Sequence, residues 1–175
     1  MNFTLKVGNK TVVINVAVKT TEEPVMGWTN RCEDGKYIVV LDYDRLKVEW
    51  IEEEISQLQG EFGLGDFFIV QSSDKGYHAI CPDKLNYCEW IKVLKNSSAD
   101  LAYVDVPLKY GMRVWTLRAT PKRGFKPRFV KMIKGNPYRT KSNAHLLLMD
   151  KLYSIKTNYK RRDCYTNIIR ASYET

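Results

Sequence analysis

Residues 39–44 read VVLDYD, an apolar, β-forming run that closes on two aspartates one residue apart. With its flanks it predicts a buried strand over 37–42, YIVVLD. Alternate residues of a strand point to the same face, so Asp42 and Asp44 are expected side by side. Two carboxylates that close raise each other's proton affinity unless a cation sits between them. Mg²⁺ answers that conflict, because it takes one or two carboxylates and fills its other positions with water and phosphate oxygens. The plainer alternative is that Asp44 caps the following helix and Asp42 faces water.

Downstream, RLKVEWIEEEISQL (45–58) sets Val48, Ile51, Ile55 and Leu58 at helical spacing, with Glu52, Glu53 and Glu54 mostly toward water. GEFGLGD breaks that helix. FFIVQSS and GYHAIC predict two strands around a turn at Asp74–Gly76. Asp83 is expected to cap a helix from Lys84 to about Lys95, with Leu85, Trp90, Ile91 and Leu94 as its apolar side. After the NSSAD loop, LAYVDV, MRVWTLRAT and PRFVKMI each predict a strand. Beyond Gly135 the clearest helical segment is NAHLLLMDKLYSI. Upstream, residues 2–19 alternate apolar and polar around GNK, which predicts a β-hairpin. The resulting order implies an α+β fold of the ferredoxin-like or RRM-like type. An antiparallel sheet would carry helices on one face, with an extra N-terminal hairpin and a basic helical C-terminal segment. One domain is expected, with a core over 1–138 and its basic extension over 139–175.

The chain has 175 residues and a formal net charge of +8. That charge is unevenly spread. Residues 1–100 hold 11 Lys and Arg against 16 Asp and Glu, whereas residues 101–175 hold 17 against 4. So basic a second half suggests a polyanion, most often nucleic acid, or else a solvated basic surface. No run of about 18 apolar residues occurs, so no membrane span is expected. The first residues, MNFTLKVGNK, lack the pattern of a secretory signal, and an intracellular protein is expected. Cys32, Cys81, Cys88 and Cys164 are scattered and read as free thiols. A zinc site from His78, Cys81 and Cys88 would lack the spacing of a zinc knuckle.

Two further stretches carry chemistry. SSDKGYHAI (72–80) is a tight turn with hydroxyls, backbone N–H groups and a cation, the parts that hold phosphate. His78 follows two residues after Gly76, placed to donate to a phosphate or a 3′ end; an ordinary hairpin with a surface histidine is the alternative. In YVDVPLKYGMRVWTLRATPKRG (103–124), Asp105 closes an apolar run, and a second run leads into Arg118, Lys122 and Arg123. Asp105 reads as a third carboxylate or as a loop cap. Three carboxylates holding two metals against a triphosphate is a general arrangement for nucleotidyl transfer.

In their order and spacing, VVLDYD, SSDKGYH, AYVD and TLRATPKRG resemble the motifs of the archaeo-eukaryotic primase superfamily, the primase small-subunit and primase-polymerase catalytic core. The resemblance covers roughly residues 37–134. It implies that Asp42, Asp44 and Asp105 hold one or two Mg²⁺ or Mn²⁺ ions. Ser72, Ser73, Lys75 and His78 would contact the phosphates of an incoming NTP or dNTP, with Arg118 adding charge beside them. The implied reaction is attack of a 3′-hydroxyl on the α-phosphate, directed by single-stranded or primer–template DNA. A helicase or a second primase subunit is an implied partner. The chain departs from the pattern in lacking the cysteine/histidine module many members carry between the second and third motifs. A catalytically inactive nucleic-acid-binding or replication accessory protein of the same fold is the competing reading.

Residues 109–141 and 156–170 interleave cations with Tyr110, Trp115, Phe125, Phe129, Tyr138, Tyr159 and Tyr165. Cations track a nucleic-acid backbone and aromatic faces stack unpaired bases. Lys122, Arg123, Lys126 and Arg128 are expected to bind nucleic acid, whereas Trp115, Leu117 and Val130 are expected in the core. His145 reads as a helix-surface or satisfied core histidine.

Overall fold

In a computed structural model, residues 2–7, 10–15, 27–111, 114–121 and 124–155 are described. In chain order the strands and helices are β1 (Asn2–Val7), β2 (Lys10–Asn15), β3 (Gly27–Thr29), β4 (Tyr37–Asp44), α1 (Val48–Phe62), β5 (Phe67–Gln71), β6 (Gly76–Leu85), α2 (Tyr87–Lys95), α3 (Leu101–Lys109), β7 (Thr116–Arg118), β8 (Arg128–Ile133) and α4 (Asn143–Tyr153). The fold is α+β with antiparallel sheets. β1 and β2 form the expected N-terminal hairpin, pairing Asn2 with Asn15 through Val7 with Lys10.

The principal sheet has the order β4-β6-β5-β8, every pair antiparallel. Its first three strands form a split β-α-β unit: β4, α1 and β5 in sequence, with β6 inserted between the two strands. In an RRM-like sheet the closing strand would lie beside the first strand of that unit. Here β8 pairs with β5 instead, at the opposite edge. No described helix is long and apolar enough to cross a membrane.

Both faces of β4, β5 and β6 are largely buried, whereas β8 is exposed. On one face Val39, Leu41 and Tyr43 meet Ile51, Ile55 and Leu58 of α1 and Trp90, Val93 and Leu94 of α2. The α1 stripe is the one its spacing predicts. On the other face Ile38, Val40, Phe68, Val70 and Ile80 are covered by Trp28 of β3, Leu117 of β7 and Leu146, Met149 and Tyr153 of α4. The expectation of helices on a single face is therefore corrected. The covering layer joins segments far apart in sequence, with Trp28 registered against Leu117. Inside it, His145 sits as a satisfied core histidine. Its Nε2 lies 2.8 Å from the Thr29 carbonyl oxygen and its Nδ1 2.7 Å from Ser142 Oγ. The ring then donates through Nε2 and accepts at Nδ1.

Several local expectations change. LAYVDV is helical rather than extended, because Asp100 acts as a cap. Its carboxylate accepts from the N–H groups of Ala102 (2.8 Å) and Tyr103 (3.1 Å) and starts α3. Asp83 caps nothing; it is buried in β6 and accepts from Gly65 N–H. The cap of α2 is Asn86, which forms a reciprocal capping box with Glu89. The described residues of MRVWTLRAT contribute the three-residue β7. Trp115 and Leu117 are buried as expected, whereas Val130 is exposed on the outer strand β8.

Candidate functional site

β4 delivers its two aspartates to one face, as the alternation requires. Ile38 and Val40 lie in the core under α4, so Asp42 and Asp44 continue that face beyond its apolar cover. Asp42 is half-buried and Asp44 exposed. The ladder to β6 sets His78 opposite Asp42 and Gly76 opposite Asp44. His78 Nε2 lies 3.5 Å from Asp42 Oδ1, longer than a well-formed hydrogen bond.

The hairpin between β5 and β6 closes on the same face. The N–H groups of Ser72 (2.9 Å) and Ser73 (3.4 Å) both donate to the Gly76 carbonyl. Gly76 is glycine for want of room. A Cβ there would stand 2.6 Å from Ser73 Oγ, 3.0 Å from Ser72 Oγ and 3.2 Å from Asp44 Oδ1. Two hydroxyls and one carboxylate therefore gather around a bare backbone position. Lys75 is exposed at the tip, and its carbonyl accepts the Arg45 N–H at 2.7 Å.

His78 is not the surface histidine of an ordinary hairpin. It is 6 % exposed, and its Nδ1 has no hydrogen-bond partner among the described residues. Burial, aided by the Arg118 cation, holds its pKa down at about 3. These effects outweigh the nearby Asp42 carboxylate, so the ring is neutral at pH 7 and the Asp42–His78 contact is not an ion pair. Arg118 reaches this neighbourhood from β7, where it pairs in register with Gly27. Tyr103, on α3, lies close enough to feel the Asp42 charge; burial first and that charge second raise its hydroxyl pKa.

Asp105 does not belong to a strand ending beside Asp42. It is an exposed residue of α3. Among the described residues, no group of three or more His, Cys, Asp or Glu side chains is arranged to hold a metal, so no zinc cluster forms around Cys81 and Cys88 either. The residue of this region that does reach β4 is Asp100, whose N–H donates to the Asp42 carbonyl at 2.8 Å. Sequence reading missed this latch, although an aspartate just before an apolar run is the ordinary signal for a helix cap.

Of the basic residues, Arg128 opens β8. Its Nε–H donates to Gln71 Oε1 at 2.9 Å, one residue before the serine hairpin, and its guanidinium lies 6.0 Å from the Phe125 ring centre. Lys126 is exposed beside it. Lys122 and Arg123, and the basic stretch 156–170, lie outside the described residues. The four strands thus bring Asp44, Gly76, Gln71 and Arg128 to one end of the sheet.

Mg²⁺ fits part of this arrangement. Two hard oxygen donors on one face suffice for an ion that takes its remaining ligands from water and a nucleotide's phosphates, but not for a pair of ions caged by protein alone. The chain matches no protein-family model, no curated protein and no solved structure.

Proposed function

We propose that the chain is a metal-dependent nucleotidyltransferase of the primase-polymerase type, adding nucleotides to a 3′-hydroxyl on a DNA template. The observation that carries this reading is the convergence on one sheet face of Asp42, Asp44, His78 and the Ser72–Ser73 hydroxyls around Gly76. The β4-β6-β5 order supports reading the fold as an RRM-like variant whose closing strand has moved to the far edge.

In this reading Asp42 and Asp44 hold a Mg²⁺ or Mn²⁺ ion together with the NTP or dNTP. When bound, that ion neutralises phosphate charge and makes the hydroxyl a better nucleophile. Ser72, Ser73 and Lys75 bind the triphosphate through hydroxyls, backbone N–H groups and one cation. Arg118 offsets negative charge that builds on the leaving phosphates. His78 is a positioning residue: neutral and buried, it fixes the Asp42 side rather than delivering a cation to the nucleotide. Lys126 and Arg128 meet the template backbone.

The competing reading, a nucleic-acid-binding or replication accessory protein without catalysis, is favoured by one observation. The expected third carboxylate, Asp105, stands on a helix. A gel assay separates the two. It combines a labelled primer–template, a primerless template, each nucleotide set, and Mg²⁺ or Mn²⁺ in turn. Incorporation by the native chain that is lost in Asp42→Asn and Asp44→Asn supports the transferase. No incorporation under any condition, with DNA binding intact, leaves the accessory protein.

A further inference from the structure

The chain reverses sharply after Asp44. Arg45 takes the left-handed conformation (φ 63°), unusual for a residue with a side chain. Its N–H bond to Lys75 clamps it against the hairpin. Just beyond Asp44, an open depression is lined by Arg45, Leu46, Lys47, Asp74, Lys75 and Tyr77. No ion pair within 4.0 Å neutralises Arg45, Lys47 or Lys75 among the described residues. In the first turn of α1, which begins after Lys47, Trp50 is 67 % exposed and off the buried stripe of the helix. A tryptophan left this open is unusual. Glu49 and Glu53 bound the patch along the helix.

We infer that Arg45, Lys47 and Trp50 form a docking surface for single-stranded nucleic acid, feeding the Asp44 end of the candidate site. Phosphodiesters pair with the two cations, and an unpaired base stacks on the indole, a combination that tolerates any sequence. Cations held in no ion pair, and so open to phosphate, near an open aromatic face are the argument for this occupant over a protein. The inference rests on nucleic acid being the ligand of the proposed function; it does not require catalysis.

The test is fluorescence anisotropy of a labelled oligothymidylate with the full chain, across a salt series, without nucleotide or divalent cation. Lys75 stays unaltered, so the nucleotide's phosphates are tested apart from the strand. Arg45→Gln/Lys47→Gln should flatten the log–log salt dependence by about 1.4, two lost contacts on a single strand. Trp50→Ala should weaken binding roughly tenfold at unchanged slope, as for one lost stack. All three positions are exposed, and matching circular dichroism and melting curves confirm an intact fold. If the native chain binds and the variants match it in affinity and slope, the surface lies elsewhere and the inference falls alone. If the native chain does not bind, the nucleic-acid reading falls with it. Loss of triphosphate binding instead, or of self-association in sedimentation, would reassign the patch and overturn the inference.

Discussion

Acidification should destabilise this protein through His78, and the size of the effect follows from its setting. In the unfolded chain the imidazole titrates near the ordinary value of about 6.5. In the fold, burial and the Arg118 cation hold it at about 3. Between those values the unfolded state binds the extra proton. Stability is therefore full above the unfolded pKa and falls as pH drops toward the folded one. From pH 7 to pH 5 the loss from this residue is about 2 kcal/mol. His145, the only other histidine, is also buried with a lowered pKa, and acts in the same direction. The assay is urea unfolding at pH 7, 6 and 5 for the native chain and His78→Gln. The variant should start less stable yet lose about 2 kcal/mol less over the range. Parallel curves, or an NMR titration of His78 centred near 6.5, would refute the claim that this ring is held neutral.

Other outcomes test the remaining geometry. Asp105→Asn should leave nucleotide incorporation near the native level, while Asp42→Asn lowers it by about two orders of magnitude or more; equal losses in the gel assay would return Asp105 to the site. Asn86→Ala should cost about 1 kcal/mol in urea titration by opening the α2 capping box. Gly135→Ala should cost at least about 2 kcal/mol, because a Cβ there would overlap the Gly65 and Leu64 carbonyls, which are backbone and cannot rotate aside. A fully stable Gly135 variant would mean that the crossing of these two loops is looser than described.

The segment from Tyr37 to Cys81 was legible because each part carries a local signal, whereas residues 83–85, read as the cap and start of a helix, continue β6. The β4 run is too short and β-branched for a helix, α1 shows a 3–4 stripe, and the serine–glycine turn separates two apolar runs. Residues 101–106 were misread because Val and Tyr favour strands, while the deciding contact is one carboxylate bonded to two backbone N–H groups. The parts of the second layer, α4 and the buried Leu117, were legible, but their assembly over the sheet was not. Trp28 and Leu117 meet across about half of the chain, and no local pattern in either three-residue strand records the other. The same holds within the site. Asp42 and Asp44 could be placed on one face from alternation alone, but the burial of His78 depends on that distant layer. Trp50 did leave a trace, as an aromatic off the apolar stripe of its helix.

The far-edge position of β8 has a consequence for access. Among the described residues it leaves β4 as the border of the sheet, its outward side met not by a strand of the sheet but by single bonds. The Asn30 carbonyl accepts from Ile38, and the Asp100 N–H reaches Asp42. The two acids thus stand at a margin rather than midway across a covered platform. A long polymer can be laid past such a margin sideways and lifted off again without its end ever being threaded.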